Sequence, residues 1–250
     1  DLLPLVDAAA ELLSGGKRLR PAFCYWGYRG AGGADSDEAV AAATSLELFQ
    51  AAALMHDDVM DDSDTRRGRP AVHRHFAQLH EKAGWSGSSD RFGQAAAILL
   101  GDLALGWSGE LFFRCGLPEQ AVTRARPMLD LMRTQLMGGQ YLDVLEQARG
   151  GGSVESARRV IHYKSAKYSV EHPLLLGGTL AGASPQVLTA YSDYGLALGE
   201  AFQLRDDVLG VFGDPVQTGK PAGDDLREGK RTLLVAYAHE RASPAQASEV

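Results

Sequence analysis

Apolar residues recur at helical spacing along most of this chain, and strand-like alternation is scarce. Leu129, Met132 and Leu136 share one face of the stretch from Glu119 to Gln147, where Pro127 is expected to start or kink a helix. Further helices are expected over Asp37 to Met60, Gln94 to Cys115, Ser153 to His172, Pro185 to Leu209 and Thr232 to Arg241. Breaks at Arg29 to Ala34, Ala83 to Asp90, Gly150 to Gly152 and Gly213 to Gly223 separate them without the composition shift that marks a second domain. With 250 residues, 45% of them hydrophobic, the chain can bury a full core, and the pattern predicts a single all-α domain.

Charge narrows the partners. Lys and Arg number 25 against 32 Asp and Glu, a formal net charge of -7, which argues against nucleic acid held by bulk electrostatics. An anion must therefore be captured locally. The aromatic content of 8% is accounted for by packing. Two cysteines, Cys24 and Cys115, make neither a disulfide framework nor a zinc site, and a reducing cytoplasm is expected. Asp1 to Leu13 lacks the pattern of a signal peptide, and the apolar run Ala95 to Leu105 is interrupted by Gly101 and Asp102, so no transmembrane segment is expected.

Two acidic clusters each follow a strongly apolar helical stretch. The first reads HDDVMDDSDTRRGRP from His56 to Pro70. On a helix Asp57 and Asp61 stand one turn apart on one face, with Asp58 beside them, and like charges so placed repel unless a cation joins them. Mg²⁺ suits the site because it takes hard oxygen ligands and sits on one or two carboxylates plus substrate phosphates. A calcium loop fits poorly, since Arg66 and Arg67 follow where alternating ligands should. A solvated acidic helix end is the alternative for such a motif standing alone. Acids followed at once by arginines point instead to a metal–phosphate site.

The second cluster lies in FQLRDDVLGVFGDPVQTGKPAGDD, Phe202 to Asp225, where Asp206 and Asp207 close a helix with Gln203 one turn earlier and Lys220 on the loop beyond. A nucleotide-binding P-loop is excluded by the spacing from Gly213 to Gly219 and by Pro221 after the lysine. Near the start, SGGKRLRP from Ser14 to Pro21 sets Lys17, Arg18 and Arg20 after two glycines, where backbone can approach a diphosphate closely. In YKSAKY, Lys164 and Lys167 share a helical face, a pattern that by itself describes a solvated surface. His56, His73 and His75 lack zinc spacing and are given no metal role.

Taken in order, GGKRLRP, HDDVMDDSDTRRG and FQLRDD resemble the polyprenyl synthetase family of trans-isoprenyl diphosphate synthases across nearly the whole chain. The resemblance implies an all-α isoprenoid synthase bundle around a deep central cavity, Mg²⁺ held by two Asp-rich segments against an allylic diphosphate, and a homodimer. Carried over by motif, Asp57, Asp58, Asp61 and Asp206 become metal ligands. Arg66, Lys164, Ser165, Gln203 and Lys220 hold the allylic diphosphate, while Lys17, Arg20, Gln50 and Arg67 hold isopentenyl diphosphate. The carried-over catalytic set is Asp57, Asp61, Arg66, Lys164, Asp206 and Lys220.

The same resemblance makes residues upstream of Asp57 the floor of a product tunnel. Ala52 and Ala53 there are small and Phe49 lies about one turn deeper, which favours geranylgeranyl diphosphate over a farnesyl or longer product. Two departures stand out: Gly210 occupies the place of a third aspartate, with Asp214 nearby, and the chain ends before the family's last helices, which are expected to be absent. Competing readings are a non-catalytic partner subunit of a heteromeric synthase, and a terpene cyclase, for which GGKRLRP would have no evident use.

Overall fold

A computed structural model describes residues 2–150, 152–214, 223–227, 229–243 and 246. The described chain is helical apart from one minute hairpin, as its periodicity predicts. It divides into two compact units, Asp1–Ala22 with Asp35–Leu117 and Phe23–Ala34 with Pro118–Val250.

In the first unit, α1 (Leu3–Ser14) is followed by the GGKR segment and, after the excursion of residues 23–34, by α3 (Asp37–Met60). α3 has the expected bounds for a local reason. The Ser36 side chain accepts from the Ala39 N–H at 3.3 Å, and Asp37 and Glu38 stand in the positive first turn. α4 (Val72–Ala83) and α5 (Ser89–Phe113) complete the unit, and α5 packs along both α3 and α4. The approach is close because α5 presents small residues. A side chain at Gly93 would collide with the α4 backbone, and Ala96, Ala97 and Ala104 join Ala51, Ala52, Met55 and Leu100 in one core. α5 is long and apolar enough to cross a membrane by length and composition, and one stripe of it is buried in this core.

In the second unit, α6 (Glu119–Arg149) continues past Pro127, which loses one helical N–H without starting or ending the element. The stretch expected as one α-helix from Ser153 to His172 is α7 (Val154–Val160), capped reciprocally by Ser153 and Ser156, followed by an eleven-residue π-helix, Ile161–Glu171. α8 (His172–Ala181), α9 (Pro185–Phe212), a single turn at Asp224–Arg227 and α10 (Leu233–Arg241) follow. The π segment packs against α6 and α9 at two glycines. A Cβ at Gly139 would lie 2.6 Å from the Lys164 backbone nitrogen, and one at Gly199 2.6 Å from the Ala166 Cα. Such wide turns are rare and are frequently found at functional sites.

Four helices among the described residues escaped the sequence reading, one of them α8, which carries the chain beyond the expected end at His172 to Ala181. α1 and α2 (Leu19–Gly30, most of it in the second unit) are short and flank the glycines of SGGKRLRP, which read as a loop. α4 is masked by polar residues, although Val72, Phe76 and Ala77 are buried with His73 and His80. α5 also begins five residues before the expected Gln94, because the Ser88 side chain caps it by accepting from the Arg91 N–H at 3.3 Å.

Candidate active site

The acidic cluster of the first unit lies on the last turn of α3, where the Asp61 N–H donates to the Asp57 carbonyl at 2.8 Å. Carboxylates there oppose both one another and the negative end of the helix dipole, so cations must offset them. Arg66 supplies part of that charge. Its Nε donates to Asp58 Oδ1 at 2.8 Å and its Nη2 to the same oxygen, while Nη2 stands 3.6 Å from Asp57 Oδ2. Asp58 is 2% exposed, so it acts as the anchor that aims Arg66. Asp57 and Asp61 are half-buried and lie at the end of the helix.

The loop that follows is held by a second arginine. Arg74 reaches Asp64 at 2.9 Å, Asp62 at 3.0 Å and Asp90 at 3.4 Å, and the Ala71 N–H donates to the Asp64 carbonyl at 2.9 Å. Beside it His73 is buried, and its imidazole is held below its ordinary value by burial and by Arg74. This loop delivers the chain into a hairpin in which Arg66 pairs with Arg69 and Thr65 with Pro70. Its two turn residues, Arg67 and Gly68, have φ of 55° and 75°, as a two-residue I′ turn demands.

At the tip Arg67 folds back onto the end of α1, where its Nη1 donates to the Leu12 and Gly15 carbonyls, each at 2.6 Å. Arg18 donates to the Leu13 and Gly15 carbonyls. The helix end thus meets two guanidiniums where unbonded carbonyls gather. Burial pulls Arg67 below its ordinary value and Glu47 opposes that shift. A cleft of about 220 Å³ opens beside these groups, lined by Glu11, Gly15, Arg66, Arg67, Arg69 and His75 among others. Lys17 is exposed, and Arg20 and Gln50 are half-buried in this unit. Of the tunnel-floor residues, Phe49 and Ala52 are fully buried and Ala53 is half-buried.

In the second unit the π segment carries Lys164 and Ser165, both half-buried. Lys164 Nζ donates to Asp143 Oδ2 of α6 at 2.6 Å. One turn on, Lys167 donates to the buried Glu171 at 2.9 Å, and Ser192 of α9 donates to the other Glu171 oxygen at 2.6 Å. The adjoining His172 is held at about 4, chiefly by burial, with Lys167 and His162 adding to the effect and Glu171 opposing it. On α9, Gln203 Nε2 donates to Asp207 Oδ1 at 2.8 Å; Asp207 is buried and Asp206 is exposed. Gly210 is half-buried near the end of that helix, Asp214 is exposed, and Lys220 lies outside the described residues.

The structure therefore brings together Asp57, Asp58 and Arg66, and separately Arg67 with the segment that carries Lys17. It also adds Asp143 and Glu47, which the sequence reading missed. Asp143 stands in a helical stretch like any surface acid, and Glu47 sits inside an apolar run; neither belongs to a motif. Among the described residues no group of three or more His, Cys, Asp or Glu side chains is placed to hold a metal alone. A hard cation that draws its remaining ligands from phosphate and water needs no such group, and the available donors are carboxylate oxygens, so the residues fit Mg²⁺.

The polyprenyl synthetase family model matches residues 4–250. A short chain isoprenyl diphosphate synthase of Methanothermobacter thermautotrophicus is 35% identical over 246 residues, 97% of this chain and 70% of that protein. The crystal structure of geranylgeranyl pyrophosphate synthase from Corynebacterium glutamicum, complexed with isoprenyl diphosphate and magnesium, is 45% identical with a TM-score of 0.93, over 97% of this chain and 71% of that one. A polyprenyl synthase from Caulobacter crescentus, complexed with calcium and isoprenyl diphosphate, is 33% identical with a TM-score of 0.81, over 97% and 67%.

Proposed function

The chain belongs to the polyprenyl synthetase family of trans-isoprenyl diphosphate synthases, and on that premise we propose that it condenses isopentenyl diphosphate with an allylic diphosphate by Mg²⁺-assisted ionisation, yielding geranylgeranyl diphosphate. One observation carries the reading: the acidic turn Asp57–Asp61 and the diphosphate-seeking Arg66 are built into a single anchored loop. A merely solvated helix end has no need of a buried Asp58 aiming an arginine.

Asp57 and Asp61, with Asp206 in the second unit, are the proposed ligands of Mg²⁺, which when bound supplies positive charge against the departing diphosphate. Arg66, aimed by Asp58, and Lys164, aimed by Asp143, hold the allylic diphosphate and stabilise the charge that grows on it as the C–O bond breaks. Ser165, Gln203 and Lys220 complete that allylic site. Lys17, Arg20, Gln50 and Arg67 hold isopentenyl diphosphate so that its double bond meets the allylic cation, and a proton then leaves for the released diphosphate.

Half-buried Ala53 leaves space for a growing tail beside Ala52, which is packed in the core, and Phe49 limits the tail at the geranylgeranyl length. Outward on α5, Ile98, Leu99, Leu103 and Phe113 form an exposed apolar face suited to a second copy, which supports a homodimer. Cys24 and Cys115, both buried and not joined in a disulfide, are compatible with work in a reducing cytoplasm.

The test is turnover against Mg²⁺ concentration for the wild type and for Asp206→Ala. Loss of at least about a hundredfold in the variant is expected for a removed metal ligand. Wild-type turnover in Asp206→Ala would refute its metal role, and turnover unchanged by chelation would refute the metal assistance.

A further inference from the structure

Glu47 is a carboxylate that the condensation reaction does not use. It is 8% exposed on α3, one turn before Gln50, and its Oε1 lies 2.9 Å from Arg18 Nη1 and 4.0 Å from Arg67 Nη2. A buried carboxylate is retained at a cost unless something depends on it.

Its two arginines come from distant segments, and both are held in the left-handed region, each at φ 55°. That conformation is strained for a residue that is not glycine. Both side chains turn onto the C-terminal carbonyls of α1, and the site admits them only because Gly16 lacks a side chain. A Cβ there would stand 2.5 Å from Arg67 Nη2 and 2.9 Å from Arg18 Nη1.

The arrangement gathers cations that repel. Arg18, Arg20 and Arg66 each push on Arg67, and Glu47 is the acid that offsets them. Without it, the guanidiniums of Arg18 and Arg67 keep only their carbonyl partners at the end of α1 while their mutual repulsion goes unopposed, and the fork they present to an anion loses its fixed aim.

We propose that Glu47 is a positioning residue that, through Arg18 and Arg67, preorganises the metal-free diphosphate site for isopentenyl diphosphate. The proposal rests on the assignment of that site to isopentenyl diphosphate and extends it to a residue that touches no substrate. Simple electrostatics predicts the opposite sign, since removing a negative charge beside an anion site should tighten binding. The sign of the effect therefore decides.

The experiment titrates the full chain, without Mg²⁺, with inorganic diphosphate and with isopentenyl diphosphate by calorimetry, alongside steady-state kinetics. Glu47→Gln should weaken both ligands about tenfold and raise KM for isopentenyl diphosphate to match, with KM for the allylic diphosphate unchanged. Glu47→Asp should restore most of the affinity. Arg18→Gln, which leaves Glu47 in place, should weaken isopentenyl diphosphate several-fold and stands in should Glu47→Gln not fold. Unchanged or tighter binding in a folded Glu47→Gln overturns the proposal, as does a wild type that binds no metal-free diphosphate. A wild type that binds through Glu47 yet elongates no primer contradicts the proposed reaction and supports the role of Glu47.

Discussion

Lys164 Nζ donates to Asp143 Oδ2 at 2.6 Å, joining the π-helical segment to α6 through two side chains that are both mostly buried. A flexible lysine stem is thereby fixed in one direction. Asp143→Asn keeps the shape and removes the charge, so Lys164 should lose its orientation. We expect kcat/KM for the allylic diphosphate to fall about tenfold, the scale for a displaced charge-assisted contact, while KM for isopentenyl diphosphate stays constant. Equal loss for both substrates would contradict this assignment.

Gly138 and Gly139 are neighbours on α6 with opposite surroundings. A side chain at Gly139 would run into the Lys164 backbone, whereas one at Gly138 meets nothing within 4 Å among the described residues. Gly138→Ala should stabilise by about 0.5–1 kcal/mol through helix propensity. Gly139→Ala should destabilise by about 1–3 kcal/mol through overpacking and weaken allylic diphosphate with it. Denaturant unfolding of the two variants reads the difference in sign.

His172 makes stability depend on pH. Its folded value is about 4 against an ordinary 6.5, so the unfolded chain takes up this proton first as pH falls. The contribution is complete above about pH 6.5 and is lost as pH falls toward 4, about 2 kcal/mol by pH 5. His172→Leu should remove that slope. Unfolding of wild type and variant at pH 7.5 and pH 5 checks it, and parallel losses in the two proteins would count against it.

Ala53 is the half-buried member of the alanine pair, whereas Ala52 is packed in the core. Ala53→Phe should therefore shorten the product to farnesyl diphosphate at little cost in stability, and Ala52→Phe should cost about 1–3 kcal/mol by overpacking. Product sizing by mass spectrometry and thermal unfolding separate the two outcomes.

Much of this was readable from residue order because the informative groups are crowded. Asp57, Asp58 and Asp61 with Arg66 and Arg67 form a pattern that local repulsion makes improbable without a ligand, and Ser36 with its acidic successors marks the start of α3. The partners of those groups were hidden. Glu47 and Asp143 act through contacts with residues far along the chain, and an isolated acid in a helix carries no mark of its burial. The π-helix was also invisible. Its apolar residues read as one ordinary helix, and only the neighbouring glycines of α6 and α9 show how closely that segment is packed.

The most direct measurement incubates the purified full chain with Mg²⁺, isopentenyl diphosphate and, in separate reactions, dimethylallyl, geranyl and farnesyl diphosphates, and sizes the products by mass spectrometry. Elongation of all three primers, ending at geranylgeranyl diphosphate, is the predicted result. No elongation from any primer by a folded protein would contradict the account.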